Sequence, residues 1–172
     1  SAIWQHLERL AKETGAYAEL AEAYEATLKS EGHNRDTLPL LEALASVVEQ
    51  ELGDLDRALA LNRAILELDD SHDAALDALD RLLVAKGQFG DLKQVYARKL
   101  ELTSGADARI AILSKLGLLF ENEVKDDGEA IKAYLAITDM APDDKGALAA
   151  LARLYERGEK WQELADVLQR QM

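Results

Sequence analysis

The residues of this chain that could do chemistry are abundant carboxylates, three histidines (His6, His33 and His72) and a regular series of arginines. His72 lies in the segment DDSHD, whose acids could be imagined around a metal ion, but no calcium-loop spacing with its central glycine follows. Asp69, Asp70 and Ser71 are more typical of a helix N-terminus, where they cap amides and face the helix dipole. The acids of the segment KDDGEA are likewise interpreted as a helix N-terminus and not as a metal site. The sequence therefore predicts no metal and no cofactor.

Signatures of catalysis are missing from the sequence. It contains no G-x-x-x-x-G-K-[ST], G-x-G-x-x-G, H-E-x-x-H or G-x-S-x-G motif. The absence of cysteine excludes disulfides and thiol catalysis. Pairs of carboxylates are common in a chain with 33 acidic residues, so a pair at helical spacing indicates a solvated face rather than an acid/base dyad. We expect a protein that is not an enzyme.

The charge of the chain favours some partners and disfavours others. The net charge is −13, and residues 1–86 carry −10 of it, with 8 basic against 18 acidic residues. Such a surface repels nucleic acids and anionic membranes, so we expect no nucleic-acid binding. No apolar run is long enough to span a bilayer, so we expect no membrane insertion. The N-terminal half should instead attract a basic segment of a partner protein.

The chain repeats itself every 72 residues without a gap. Aligning residues 1–100 on 73–172 gives 25 identical positions, far above the roughly 10% expected for unrelated helical segments. Leu7, Arg9 and Leu10, for example, return as Leu79, Arg81 and Leu82. Repetition of this kind predicts a stack of similar units in which each buries its apolar face on its neighbour.

Ten helices and no strands are predicted, so the fold class is all-α. Leu76, Leu79 and Leu83 lie on one helix face, and Leu113, Leu116 and Phe120 repeat that spacing. Asp126 with Glu129 indicates a capping box, and Gly15, Gly87 and Gly158 are expected to end helices in the left-handed conformation. The predicted helices are 2–13, 17–30, 36–52, 55–68, 72–86, 89–102, 106–124, 128–140, 144–157 and 161–171. They pair into five antiparallel hairpins. The aromatic residues on their apolar stripes are expected in the core.

The hairpins resemble the tetratricopeptide repeat (TPR) family along the whole chain. Ala130, Tyr134, Ile137 and Pro142 match its second helix and exit turn, and Leu148, Leu151, Ala152 and Tyr155 follow the W-x-x-L-G-x-x-Y spacing of its first helix. Hairpin spacings near 37 and 35 residues, and Glu8 and Asp80 at the close helix contact, depart from the strict 34-residue pattern. The resemblance implies a right-handed α-solenoid whose concave groove binds partners.

Carried over helix by helix, the resemblance predicts a groove lined by charged rungs. Arg9, Arg81 and Arg153 recur every 72 residues on one face, with Glu49 and Glu121 on the helices between. The predicted lining consists of Gln5, Arg9, Lys12, Glu42, Ser46, Glu49, Asp77, Arg81, Val84, Ser114, Leu118, Glu121, Ala149, Arg153 and Glu156. Two interpretations stay open: the arginines pair with acids of the adjacent helix and stiffen the stack, or they hold carboxylates and carbonyls of a bound peptide.

These observations lead to one functional hypothesis and two alternatives. We predict a single TPR-like domain over 1–172, part of a longer array or multidomain protein, that acts as a protein-interaction scaffold. The alternatives are a substrate-recruiting arm of a larger enzyme and a structural array that self-associates. The Ala-, Leu- and Asp-rich, Lys-poor composition suggests a bacterial source. The absence of a signal segment favours the cytoplasm, although a targeting signal could precede Ser1.

Overall fold

The computed structural model describes all residues, 1–172, and consists of helices joined by short turns. The prediction of ten helices and no strand is confirmed, and the bounds of three helices are those predicted. The helices are α1 (Ala2–Thr14), α2 (Tyr17–Glu31), α3 (Leu38–Gln50), α4 (Leu55–Leu68), α5 (Asp73–Ala85), α6 (Phe89–Leu102), α7 (Ala106–Leu119), α8 (Asp127–Met140), α9 (Lys145–Arg157) and α10 (Trp161–Gln171). The helix predicted over 106–124 changes at its end, because Phe120–Val124 forms a π-helical turn after α7.

The chain is divided into two compact units. Unit 1, Ser1–Gly87, holds α1–α5, and unit 2, Gln88–Met172, holds α6–α10. In unit 1 α2 packs on α3 and α4 packs on both α3 and α5, while in unit 2 α8 packs on α7 and α9. The predicted apolar face of α5 is buried: Leu76, Leu79 and Leu83 are all within the core of unit 1. These contacts make the observed architecture an all-α helical repeat.

The core of unit 2 is built from side chains of α7 to α10. Leu113, Phe120, Ile137 and Leu151 belong to one buried cluster, against which half-buried residues such as Leu116 pack. The expectation that every aromatic residue lies in a core is wrong for Trp161, which is 61% exposed at the start of α10. No helix combines the length and apolar character needed to cross a membrane.

At four helix N-termini a side chain supplies a hydrogen-bond acceptor for a backbone N–H of the first turn. Asp54, Asp126 and Asp144 each accept a backbone N–H three residues ahead. In the DDSHD segment the N-cap is His72 itself, whose Nδ1 accepts the Ala75 N–H at 3.1 Å. Asp144 occupies the equivalent position 72 residues later. The imidazole of His72 and the carboxylate of Asp144 therefore serve as N-caps of equivalent helices in the two copies.

The capping box predicted from Asp126 and Glu129 is only half formed. Asp126 accepts the Glu129 N–H at 3.0 Å, as expected. The Glu129 carboxylate does not return to the Asp126 N–H, which instead donates to the Phe120 carbonyl at 2.8 Å. Glu129 binds Lys132 and Lys93. The Glu129 carboxylate therefore pairs with two lysine ammonium groups and does not complete the capping box.

The left-handed turn positions repeat every 72 residues, but not always with glycine. Gly53 has φ 64° and its counterpart Lys125 has φ 61°, while Gly87 has φ 67° and its counterpart Glu159 has φ 55°. The prediction that Gly158 takes the left-handed conformation is wrong, because its φ is −85°. Both copies thus have the left-handed turn. Glu159 has a Cβ, so this backbone conformation is strained for it but not for glycine.

Lys125→Gly and Glu159→Gly are each expected to stabilise the protein by about 0.5 to 1 kcal/mol. Relief of left-handed strain in a residue with a Cβ outweighs the larger entropy of glycine in the unfolded chain. Urea denaturation followed by circular dichroism measures the change. As a control, Glu22→Gly in the exposed middle of α2 should cost about 1 kcal/mol. Destabilisation by the two turn substitutions would contradict the expectation.

Candidate functional site

The predicted series of arginines and glutamates forms ion pairs in both units. Arg81 of α5 donates from Nε and Nη2 to the Glu49 carboxylate at 2.8 to 3.1 Å. Arg153 of α9 makes the same two-pronged contact with Glu121 at 2.7 and 2.9 Å. The two pairs are equivalent in the 72-residue repeat. For these two arginines the structure therefore contains the first of the two arrangements that the sequence left open. Each arginine pairs with an acid outside its own helix.

The two equivalent pairs differ in their exposure. In unit 1 the Arg81 side chain is 59% exposed and that of Glu49 is 18% exposed. In unit 2 Glu121 is only 5% exposed, and it also accepts from the Tyr134 hydroxyl at 3.4 Å. Solvent therefore reaches the pair of unit 1 more readily than the carboxylate of unit 2.

The contacts of the buried Glu121 shift the pKa values of the groups around it in unit 2. Hydrogen bonding to Arg153 lowers the pKa of Glu121 below its ordinary value, against the opposing effect of burial. The same contact raises the pKa of Arg153. Burial, with the Glu121 charge as a second cause, raises the pKa of Tyr134 to about 12. Glu121 is thus held as a carboxylate over the whole neutral range.

Arg9, the first member of the series, makes its contacts within its own helix. It lies within 3.8 Å of Glu13 on its own helix and contacts the His6 ring at 3.2 Å. Both groups of the Arg9–Glu13 pair are more than 60% exposed. An exposed pair of this kind contributes little to stability, so breaking it costs little.

The other predicted lining residues differ mainly in burial. Val84 of unit 1 and Leu118 of unit 2 are each about half exposed. In unit 1 Glu42 and Glu49 are half-buried, and Gln5, Arg9, Lys12, Ser46, Asp77, Arg81 and Val84 are exposed. In unit 2 Ser114 is half-buried, Glu121 is buried, and Leu118, Ala149, Arg153 and Glu156 are exposed.

A groove opens between α3 and α5 in unit 1, and we call it the α3–α5 groove. It encloses about 190 Å³ and brings together the predicted Glu42, Ser46, Glu49 and Arg81. Its ends are the Arg81–Glu49 pair and a contact between His72 Nε2 and Glu42. Asn62 of α4, which donates to the Ala58 carbonyl at 2.9 Å, forms part of its floor.

In unit 2 the position equivalent to Asn62 holds Tyr134. The tyrosine is buried, and its ring lies against Gly117, where a Cβ would come within 2.6 Å of it. The residue equivalent to Gly117 in unit 1 is Ala45. Unit 1 therefore has an Ala–Asn pair where unit 2 has a Gly–Tyr pair. These two pairs determine how much side-chain volume fills the equivalent position in each unit.

A second cavity of unit 1, the α1–α3 pocket, was not predicted. It encloses about 430 Å³ between α1, α2 and the start of α3, and its lining includes Trp4, Glu8, Tyr24, Glu31 and Asp36. The Trp4 and Tyr24 rings are 4.7 Å apart between centroids. Sequence periodicity placed the aromatics on apolar stripes and gave no sign that they border a cavity. The sequence signal that could have indicated this pocket is the presence of three acids, Glu8, Glu31 and Asp36, near the first hairpin.

Comparison with known proteins agrees with the helical-repeat architecture. The family model described as tetratricopeptide repeat matches residues 147–172. A solved structure of MamA protein has 19% sequence identity, a TM-score of 0.58, and covers 98% of this chain and 88% of its own. The chain has a TPR-like helical-repeat fold.

Two further MamA structures show the same fold. A MamA RS-1 double mutant is 16% identical with a TM-score of 0.57, covering 98% of this chain and 90% of its own. MamA from residue 41 to the end, from Desulfovibrio magneticus RS-1, is 16% identical with a TM-score of 0.55, covering 98% and 91%. No curated protein matches the sequence.

The matched TPR segment connects the sequence pattern to the helices. Residues 147–172 span nearly all of α9 and α10, and the 72-residue repeat relates them to α5 with α6 and to α1 with α2. At the close helix contact, where the TPR pattern has a small residue, Glu8 instead accepts the Tyr24 hydroxyl at 2.5 Å. This departure from the TPR pattern places a carboxylate beside the α1–α3 pocket.

Proposed function

We propose that this TPR-like protein is a protein-interaction scaffold and that its α3–α5 groove binds a peptide segment of a partner. The observation that carries the proposal is the groove itself, which gathers four predicted lining residues between two helices that both pack on α4. Helices present side chains in fixed directions, so a groove on them is preorganised for an extended or helical segment.

The ion pairs at the groove supply the proposed specificity. The Arg81 guanidinium has five donors, and its contact with Glu49 leaves it more than half exposed. A partner carboxylate or backbone carbonyl can replace Glu49 as acceptor at little cost, since an exposed pair is worth about 0 to 1 kcal/mol. The released Glu49 can then accept from a basic or amide group of the same partner.

Filling the groove provides a direct test. The double variant Ala45→Gly/Asn62→Tyr copies into unit 1 the pair that unit 2 carries as Gly117 and Tyr134. The glycine is needed because a Cβ at Gly117 would overlap the tyrosine ring. The added ring should remove peptide binding while the fold is kept.

The experiment uses peptides selected on the full chain from a displayed random library. Their affinity for the wild type and the filled variant is measured by isothermal titration calorimetry. We expect at least about a tenfold rise in Kd, which corresponds to about 1.4 kcal/mol. Gln94→Tyr on the exposed side of α6 serves as the control and should change nothing. Unchanged binding to the filled variant, or failure to select any peptide, would overturn the proposal.

Self-association is a second candidate function, favoured by one observation. Trp161 and Leu168 on α10 are 61% and 47% exposed, and large exposed apolar side chains on one helix are typical of contact surfaces. Light scattering over a range of concentrations tests it. A molar mass that rises with concentration and falls back in Trp161→Ser/Leu168→Ser supports the array, whereas a constant monomer mass excludes it.

A further inference from the structure

The α1–α3 pocket combines three features within unit 1: a cavity, an aromatic wall and an uncompensated negative charge. Its volume of about 430 Å³ falls in the range of pockets that hold small ligands or anchoring side chains. Trp4, whose ring packs on Tyr24, is only half-buried, so part of its surface faces solvent. We propose that this pocket seats an arginine or lysine side chain of a basic partner segment.

The charges around the pocket decide the sign of the occupant. Glu8, Glu31 and Asp36 line it, and no lysine or arginine does. Elsewhere in unit 1 carboxylates such as Glu25, Glu49 and Asp56 have arginine or lysine partners. Glu31 and Asp36 have none. A cation that enters the pocket therefore meets carboxylates that need not leave another partner first.

The aromatic wall favours a cation over a neutral apolar group. Tryptophan is the best partner for a cation–π contact, and a guanidinium also stacks on its plane. The aliphatic stem of the incoming side chain can pack against Pro39 and Leu40, which line the same pocket. Tyr24 is committed to the Glu8 carboxylate, and its burial raises the pKa of its hydroxyl. It stays neutral and adds no negative charge of its own.

Two features would favour an anion: the start of α3, and the α-amino group of Ser1, which also lines the pocket. A helix N-terminus carries a partial positive charge of about half a unit. Here Thr37 is the N-cap, and Asp36 directly precedes it. Since Asp36 and Glu31 bring two full negative charges to the same place, the net potential remains favourable to a cation.

The internal repeat shows that these acids are not required by the fold. The positions equivalent to Glu31 and Asp36 hold Thr103 and Ala108, and the position equivalent to Thr27 holds Lys99. The aromatic and acidic pair Tyr24 and Glu8 is kept as Tyr96 and Asp80. The acids that lack partners are therefore a property of the first copy alone, as expected for a site rather than for a structural role.

The proposal rests on the scaffold function and names the chemistry of one partner residue. A Gly-Ser peptide with a central Arg-Arg pair is the probe, and matched peptides carry norleucine or glutamate at those positions. Trp161→Phe leaves Trp4 as the single tryptophan, so fluorescence of the full chain reports on the pocket. The arginine peptide should bind at least about tenfold more tightly than the norleucine peptide. The glutamate peptide should not bind.

The decisive variant is Glu31→Thr/Asp36→Ala, which copies the residues of the second repeat. It should raise the Kd for the arginine peptide about tenfold. Glu22→Thr/Glu67→Ala removes the same charge from exposed positions of α2 and α4 outside the pocket lining, and it should leave the Kd within about twofold. Equal effects of the two variants would mean that binding follows net charge alone and would overturn the pocket.

Failure of this inference can be told from failure of the scaffold proposal. If library peptides bind at the α3–α5 groove but the arginine peptide does not bind, or binds no better than norleucine, the pocket inference is wrong and the scaffold stands. If the arginine peptide responds to Glu31→Thr/Asp36→Ala but not to Ala45→Gly/Asn62→Tyr, the pocket is supported as a site separate from the groove.

Discussion

Leu79→Ala should lower the free energy of unfolding by about 2 to 5 kcal/mol, whereas Arg81→Glu, two residues away, should mainly weaken partner binding. Leu79 is 4% exposed in the core of unit 1, so truncation removes apolar contacts and leaves a cavity. Arg81 is on the opposite side of α5, with 59% of its side chain exposed. The two substitutions therefore separate folding from binding within one helix.

Arg81→Glu is expected to cost about 0.5 to 1 kcal/mol of stability, because it replaces a half-exposed ion pair by two facing carboxylates. Its effect on peptides selected with the wild type should be larger, at least about tenfold in Kd. Thermal and urea unfolding measure the first quantity, and calorimetric titration measures the second. Arg81→Gln, which removes the charge without adding repulsion from Glu49, serves as the intermediate control.

The opposite outcome would be informative as well. If Arg81→Glu unfolds the protein as badly as Leu79→Ala, the arginine is a structural tie between α3 and α5. The interpretation of the charged face as a binding surface would then fail for unit 1.

Glu121→Gln should destabilise the protein by about 2 to 3 kcal/mol, while the equivalent Glu49→Gln should cost under about 1 kcal/mol. Glu121 is buried and accepts from Arg153 and Tyr134, so its loss leaves two donors with a weaker acceptor. Glu49 is half-buried and faces only Arg81 among the charged groups. The repeat thus supplies its own control. Equal losses would show that burial of Glu121 does not strengthen its pair.

The contribution of Glu121 should also depend on pH. Its pKa in the folded protein is lowered from the ordinary 4.5 by Arg153, so its stabilising effect is complete above that value. It is lost as the pH falls below 4.5 through the lowered pKa, where the folded carboxylate takes up a proton. Urea denaturation at pH 7 and pH 3 should therefore show a smaller difference between wild type and Glu121→Gln at pH 3. A constant difference would contradict a charge-based contribution.

Much of the fold follows from the sequence because its determinants are local. Apolar spacing at helical period, caps such as Asp54 and Asp144, and the 72-residue identity predict the helices and most of their bounds. The recurrence of Arg81 and Arg153 with Glu49 and Glu121 also predicts which charges can pair. These features depend on residues within a few turns or on comparison of the chain with itself.

Other properties depend on contacts between distant residues, and only the tertiary structure decides them. Glu49 and Glu121 look alike in the sequence, yet Glu121 is buried because Tyr134 of α8 packs beside it. Asn62 leaves the α3–α5 groove open, whereas Tyr134 packs on Gly117 at the same place in the second copy. The exposure of Trp161 has the same origin, since periodicity marks an apolar face but cannot say whether another helix covers it.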